Sequence, residues 1–290
     1  DRPVPGSMRA ALTEPAEQSA QQLDHLMLHA SDLPAGDLRF GVGLTPSNVT
    51  SGGTTASADD LFLDAHTLLA PVDGLLAKGT GGAWHLAVSD STELTFGVLD
   101  SDALSTPGTE TYGHDGRLFS LGADQRLGER VSLHVDYAYV DETTALLGSS
   151  ASGAFAFDDG AQSHLGTARF VYRPVASVEL FAQATMGISM LDDEGGMLND
   201  WSTVTSDAFA FGVIADSVFE EADRLGVVVG QPLRVSSASV MIDIPTGRTL
   251  DGRVERSQER VEATPTGREV RLELAYQRVL HEKRAVAGWL

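Results

Sequence analysis

From about residue 82 onward, hydrophobic and polar positions alternate with a period of two. Over 130–141, Val131, Leu133, Val135, Tyr137 and Tyr139 take one side, and Ser132, His134, Asp136 and Ala138 the other. Val178, Leu180, Ala182, Ala184, Met186 and Ile188 repeat the pattern against Glu179, Gln183, Thr185, Gly187 and Ser189. Phe119, Leu121, Ala123 and Leu127 oppose Ser120, Gly122, Asp124 and Arg126, and Val270, Leu272, Leu274 and Tyr276 oppose Glu269, Arg271, Glu273 and Gln277. Side chains alternate across a strand, so each segment predicts a strand with one apolar and one polar face.

The links add direction. Tight turns are predicted at Gly128-Glu129, Pro174-Val175-Ala176, Glu221-Ala222-Asp223 and His281-Glu282-Lys283. Long Gly/Ser/Asp-rich loops are predicted at about 101–115, 142–162, 191–205 and 246–266. Short and long links alternate, which suits an up-and-down barrel with all its turns at one end. Strands of roughly ten residues suit a tilted crossing of a bilayer. The expected fold is therefore an all-β antiparallel meander closed as a transmembrane β-barrel.

The N-terminal stretch differs. Residues 15–30 hold good helix formers with almost no β-branching, and Leu23, Leu26, Met27 and Ala30 fall at i, i+3, i+4 and i+7. This predicts a helix whose length approaches the apolar band, placed as a plug in the lumen or as a cap on a sheet end. Residues 45–58 read as a loop without periodicity. The division follows: a helical linker or plug over 1–36 and the barrel over 37–290.

In such a barrel the polar face lines the lumen. It carries both signs, at Arg39, Asp124, Arg126, Asp136, Arg169, Arg173, Glu179, Arg224, Arg234, Glu269, Arg271 and Glu273. Gly41, Gly43, Gly122, Gly187, Gly226 and Gly230 leave room for a plug. Arg169, Arg224, Arg271, Glu273 and Asp136 are singled out as lumen residues contacting the helix.

Composition narrows the chemistry. The 290 residues carry 20 basic and 41 acidic side chains, a net charge of −21, which argues against nucleic acid and against a basic patch on anionic lipid. Zero cysteines exclude disulfides, thiolate metal sites and a cysteine nucleophile. No run of eighteen apolar residues predicts a transmembrane helix, which says nothing of strands. His25 and His29 stand at i, i+4 with no third ligand beyond Asp24, and Asp192-Asp193-Glu194 lacks calcium-loop spacing. Carboxylates such as Asp124 and Glu273 have basic neighbours that favour ion pairing. No catalytic residue, metal or cofactor is therefore assigned. The opening Asp1-Arg2-Pro3 reads as that of a mature or excised chain.

Several segments resemble the C-terminal β-domain of subtilisin-family serine proteases that proteobacteria secrete as autotransporters. They are APVDGLLAKG from Ala70, GRLFSLGADQRLGERVSL from Gly116, ALLGSSASGAFAF from Ala145 and the long block from Gly230 to Arg278. In that block, Pro245-Thr246-Gly247-Arg248 and Thr266-Gly267-Arg268-Glu269 match turns at the two ends of a family loop. The resemblance covers about residues 66–280. It implies about twelve strands, a helix through the pore, an upstream protease-like passenger, outer-membrane lipid and the barrel-assembly machinery as partners, and a monomeric, non-catalytic translocator in a Gram-negative outer membrane. The family ends in a strand with a terminal aromatic residue; here the last residues are Ala285-Val286-Ala287-Gly288-Trp289-Leu290. The alternative is a soluble extracellular β-domain acting as a binding or assembly module.

Overall fold

The computed structural model describes residues 8–11, 26–33, 36–50, 70–101, 114–157, 159–191, 196–220, 223–281 and 284–289. Sixteen strands follow in order: β1 (Met8–Ala11), β2 (Leu26–Leu33), β3 (Gly36–Leu44), β4 (Gly79–Ser89), β5 (Thr92–Ser101), β6 (Gly116–Arg126), β7 (Val131–Glu142), β8 (Ala161–Val175), β9 (Val178–Leu191), β10 (Leu198–Asn199), β11 (Val204–Asp216), β12 (Arg224–Ser237), β13 (Ser239–Arg248), β14 (Val254–Glu262), β15 (Arg271–His281) and β16 (Arg284–Trp289). Thirteen of them form one antiparallel meander, β1 to β9, then β11, β12, β15 and β16; β10, β13 and β14 form a separate small sheet. Among the described residues no pairing joins β16 to β1, so closure of the meander is not part of the described structure.

The alternating link lengths hold in three dimensions. Asp90-Ser91 separates β4 from β5 and Ala176-Ser177 separates β8 from β9, whereas β3 to β4, β7 to β8 and β12 to β15 are joined by long connections. The short links therefore lie at one end of the sheet and the long ones at the other. Two expectations change. The loop assigned to 246–266 is largely the hairpin β13–β14, turning at Thr249-Leu250-Asp251-Gly252 with Gly252 at φ +87°. Of the helix assigned to 15–30, residues 26–30 are instead part of strand β2 (Leu26–Leu33), paired with β3, and residues 15–25 lie outside those described. Ladder pairing overrides the helix propensity of Leu-Met-Leu-His-Ala, since local propensity yields readily to tertiary context.

Many large apolar side chains of the main sheet face out. Leu38, Trp84, Phe96, Leu121, Tyr137, Gly166 and Met186 are successive cross-strand partners from β3 to β9. Phe170, Ala182, Phe211, Val229 and Leu272 continue such a row through β15. Phe96, Leu121, Phe170, Phe211 and Met186 are all exposed, Met186 to 75%. At the long-loop end the belt stops at a polar rim, where Asp100, Arg117 and Asp141 are consecutive partners.

The opposite face is buried. Leu44, Leu99, Leu118, Val140 and Leu165, from β3, β5, β6, β7 and β8, share one cluster, and Leu233 of β12 packs against it. Strands so far apart in the sheet order meet only if the sheet curls around this face.

Candidate functional site

The inward face combines polar rows with an apolar cap. Near the middle, Asp37, His85, Thr95, Gly122, Asp136, Thr167 and Thr185 are successive partners. The next row towards the short turns is Glu93, Asp124, His134, Arg169 and Gln183. Several of these side chains pair with one another. His85 Nδ1 lies 3.1 Å from Thr95 Oγ1 and 3.5 Å from Glu93 Oε1. His134 Nδ1 pairs with Asp124, and Thr167 with Thr185 at 2.9 Å. Arg169 lies 3.9 Å from Glu179, which also pairs with Arg173, and its guanidinium sits 4.7 Å above the Phe181 ring. Ser163 and Ser189, both fully buried, bond at 2.7 Å. Buried polar groups cost stability unless they are paired, so this network fixes the wall's register as well as its polarity.

Towards the long-loop end, the β3–β4 connection enters the curl. Pro46–Asn48 form one 3-10 turn after Thr45, whose N–H donates to Asn48 Oδ1 at 2.8 Å. Val49 follows with no exposure and packs with Val72, Leu75 and Leu76 onto the wall's Leu99 and Leu118. Its carbonyl accepts from Ser120 Oγ at 2.7 Å and passes so close to Gly97 that a Cβ there would lie 1.7 Å away. Glycine at 97 is what lets the backbone come that near. Asp73 accepts the Ser47 N–H at 2.6 Å, tying the two described halves of the connection together.

A clamp overlies this plug. Glu142, at the end of β7 and beyond the Asp100–Arg117–Asp141 rim, has no exposure and accepts N–H bonds from Leu147 (2.8 Å) and Gly148 (2.7 Å). Both donors have positive φ, +50° and +73°, which turns their N–H groups towards one carboxylate. Gly148 rests on the Gly74 carbonyl, and His114 Nε2 donates to Gly148 O at 3.1 Å.

The five residues singled out from sequence all fall in inward rows, without converging. Asp136 lies between Gly122 and Thr167, and Arg169 between His134 and Gln183. Arg271 and Glu273 stand opposite Gly230 and Val228, with Arg271 also paired to Glu269. Arg224 sits at the short-turn end, bonded to Asp216 at 2.9 Å. Their assigned partner, the helix, is replaced by β2 over Leu26–Leu33. Two other assignments shift: Arg234 pairs with Asp207 past a bulge, and Glu269 precedes β15. The plug, Glu142 and His114 escaped the sequence reading. Their only signal is a scatter of apolar residues at Val49, Val72, Leu75 and Leu76 inside a Gly/Ser/Thr-rich stretch. Among the described residues no group of three or more His, Asp or Glu could hold a metal ion; His25 and 192–194 lie outside them.

Fold and site together define a class: an antiparallel meander curled around a polar interior, plugged at its long-loop end. No family model matches the chain, and no curated protein matches it. Among solved structures, a similar chain is OmpT (in-vitro folded), an outer membrane protein of Vibrio cholerae, at 11% identity and a TM-score of 0.39. The match covers 82% of this chain and 60% of that one, so this chain spans less than two thirds of that protein's length. So distant a likeness says nothing about function.

Proposed function

We propose that the chain is a membrane-embedded β-barrel of a Gram-negative outer membrane, serving, without catalysis of its own, as translocator and anchor for an upstream passenger. The carrying observation is the inversion of the main sheet: large apolar side chains face out in continuous rows while serines, threonines and ion pairs face in. Soluble monomers rarely expose contiguous apolar patches beyond a few hundred Å², and lipid is the solvent that favours this arrangement. Strand lengths agree. The 12 residues of β7 at about 3.4 Å each span roughly 40 Å, and at a tilt of about 45° they cross roughly 28 Å, close to the hydrocarbon thickness. The meander satisfies its own backbone groups, as lipid demands, once its edge strands β1 and β16 pair. The passenger role is supported by the resemblance over residues 66–280 and by a polar interior able to hold a peptide.

Expression in a Gram-negative host, isolation of outer membranes and comparison of unheated with boiled samples by gel mobility tests this. Membrane retention with a heat-dependent shift is the expected result. Folded protein in the soluble fraction without detergent would instead favour a soluble extracellular module. One observation favours that second reading: among the described residues β14 ends the small sheet, and an open sheet edge can accept an added strand.

A further inference from the structure

We propose that Ser132, His134 and Asp124 form a hydrolytic site on the inward face near the short turns, with Ser132 as the nucleophile towards carboxylic esters of apolar acyl groups. Translocation requires no catalysis, so this activity is additional to the proposed role, and neither depends on the other.

Ser132 and His134 stand two residues apart on β7 and project from the same, inward face. Asp124 of β6 is the direct cross-strand partner of His134. The two ring nitrogens of His134 are used differently. Nδ1 donates to Asp124, which fixes the tautomer and leaves Nε2 as an acceptor 3.3 Å from the Ser132 hydroxyl. Hydroxyl, base and orienting carboxylate are therefore in the order that a nucleophilic serine requires, at the looser spacing common before a substrate binds. His85 on the same face lacks this order, because its Nδ1 meets both Thr95 Oγ1 and Glu93 while its Nε2 has no hydrogen-bond partner among the described residues.

The surroundings select the substrate. Across from β7, Ser132 is opposite Val171 of β8, which clusters with Phe181, Ala210, Val228 and Ala275. An apolar wall beside the nucleophile suits an apolar acyl group. Ser132 is buried, while the His134 and Asp124 side chains keep 22% and 19% of their exposure, so the imidazole is not sealed from the interior. Arg169, the cross-strand partner of His134, brings a cation to the same wall, where negative charge develops on the carbonyl oxygen.

In the reaction, Ser132 Oγ bonds to the ester carbonyl carbon as its proton passes to His134 Nε2. The bond from that carbon to the alcohol oxygen breaks, the leaving oxygen takes the proton, and the acyl group stays on Ser132. Water then attacks the acyl carbon, giving its proton to His134, which returns it to Ser132 Oγ as the acid leaves. Asp124 is a positioning residue: it holds the imidazole and stays ionised throughout.

The test uses the purified full chain in detergent, a biotinylated fluorophosphonate and p-nitrophenyl octanoate, with heat-dependent gel mobility followed in parallel. Attack on the probe's phosphorus expels fluoride and leaves a stable adduct that peptide mapping locates. The expected result is one adduct, on Ser132, absent in S132A, and octanoate hydrolysis that falls by roughly a hundred-fold or more in S132A and H134N. D124N is expected to lower kcat by about ten-fold or more with KM within about two-fold, a split that a merely structural pair does not produce. No adduct on the wild-type chain, or equal labelling and hydrolysis in wild type and S132A, overturns the proposal. If H134N loses the heat shift, the S132A comparison decides alone. A wild-type chain labelled on Ser132 but without a heat shift sinks the barrel reading and keeps the hydrolytic site.

Discussion

The two sheets of this chain present different outer surfaces. In the main sheet, β6 exposes Phe119 and Leu121 and buries Leu118 and Ser120. In the small sheet, β14 reads Val-Glu-Arg-Ser-Gln-Glu-Arg-Val-Glu and leaves nearly every residue exposed. There Arg256 pairs with Asp243 at 2.9 Å and Arg260 with Asp200, as expected of a surface wetted by water. Exposed apolar residues run in cross-strand rows on the wall, whereas the hairpin exposes Ile244, Leu250 and Val254 singly among charged neighbours. On the proposed reading, the wall's outer face meets lipid and the hairpin meets water.

The contrast breaks most sharply with a charge on each surface. Leu121→Arg, mid-belt, is expected to destabilise the lipid-reconstituted protein by about 2–4 kcal/mol, and Ile244→Arg on β13 by no more than about 0.5 kcal/mol. Denaturant titration of both variants in vesicles measures the pair; equal costs would remove the distinction between the surfaces.

Much of this was legible beforehand because alternation over ten or more residues survives local irregularity; β7 and β9 follow their sequence pattern, while Leu127, Glu269 and Val270 fall just outside β6 and β15. What failed did so for physical reasons. Leu26 to Ala30 lacks β-branched residues and carries a helical stripe, yet an adjacent strand with unsatisfied backbone groups recruits it as β2. The Asp251-Gly252 turn flanked by alternating Val240, Ile242 and Ile244 is a hairpin signal, hidden by Pro245 and Gly247, which sit at a bulge in β13. The plug has no period at all, since Val49, Val72 and Leu75 are brought together by tertiary packing. Of the site, the inward rows were readable from the charges opposite the apolar face; Glu142 was not, because its partners are backbone amides.

Smaller effects sharpen the inward side. Glu179→Gln weakens the pairing with Arg169 and Arg173 and is expected to cost roughly 1–2 kcal/mol by the same titration. Ser163→Ala removes one hydroxyl of the Ser163–Ser189 pair and should cost about 1 kcal/mol or less, since the remaining hydroxyl can rotate to another acceptor.

The central claim is that the apolar rows meet lipid. Trp84 lies in the middle row, outward and stacked on Phe96 with ring centroids 5.6 Å apart. In a W201F/W289F background it is the sole tryptophan of the three, and its fluorescence can be read in vesicles with bromine on the lipid chains. Strong quenching by the brominated lipid, with little quenching by aqueous iodide, is the predicted result. Quenching by iodide with none from the brominated lipid would contradict it and place the outer face in water.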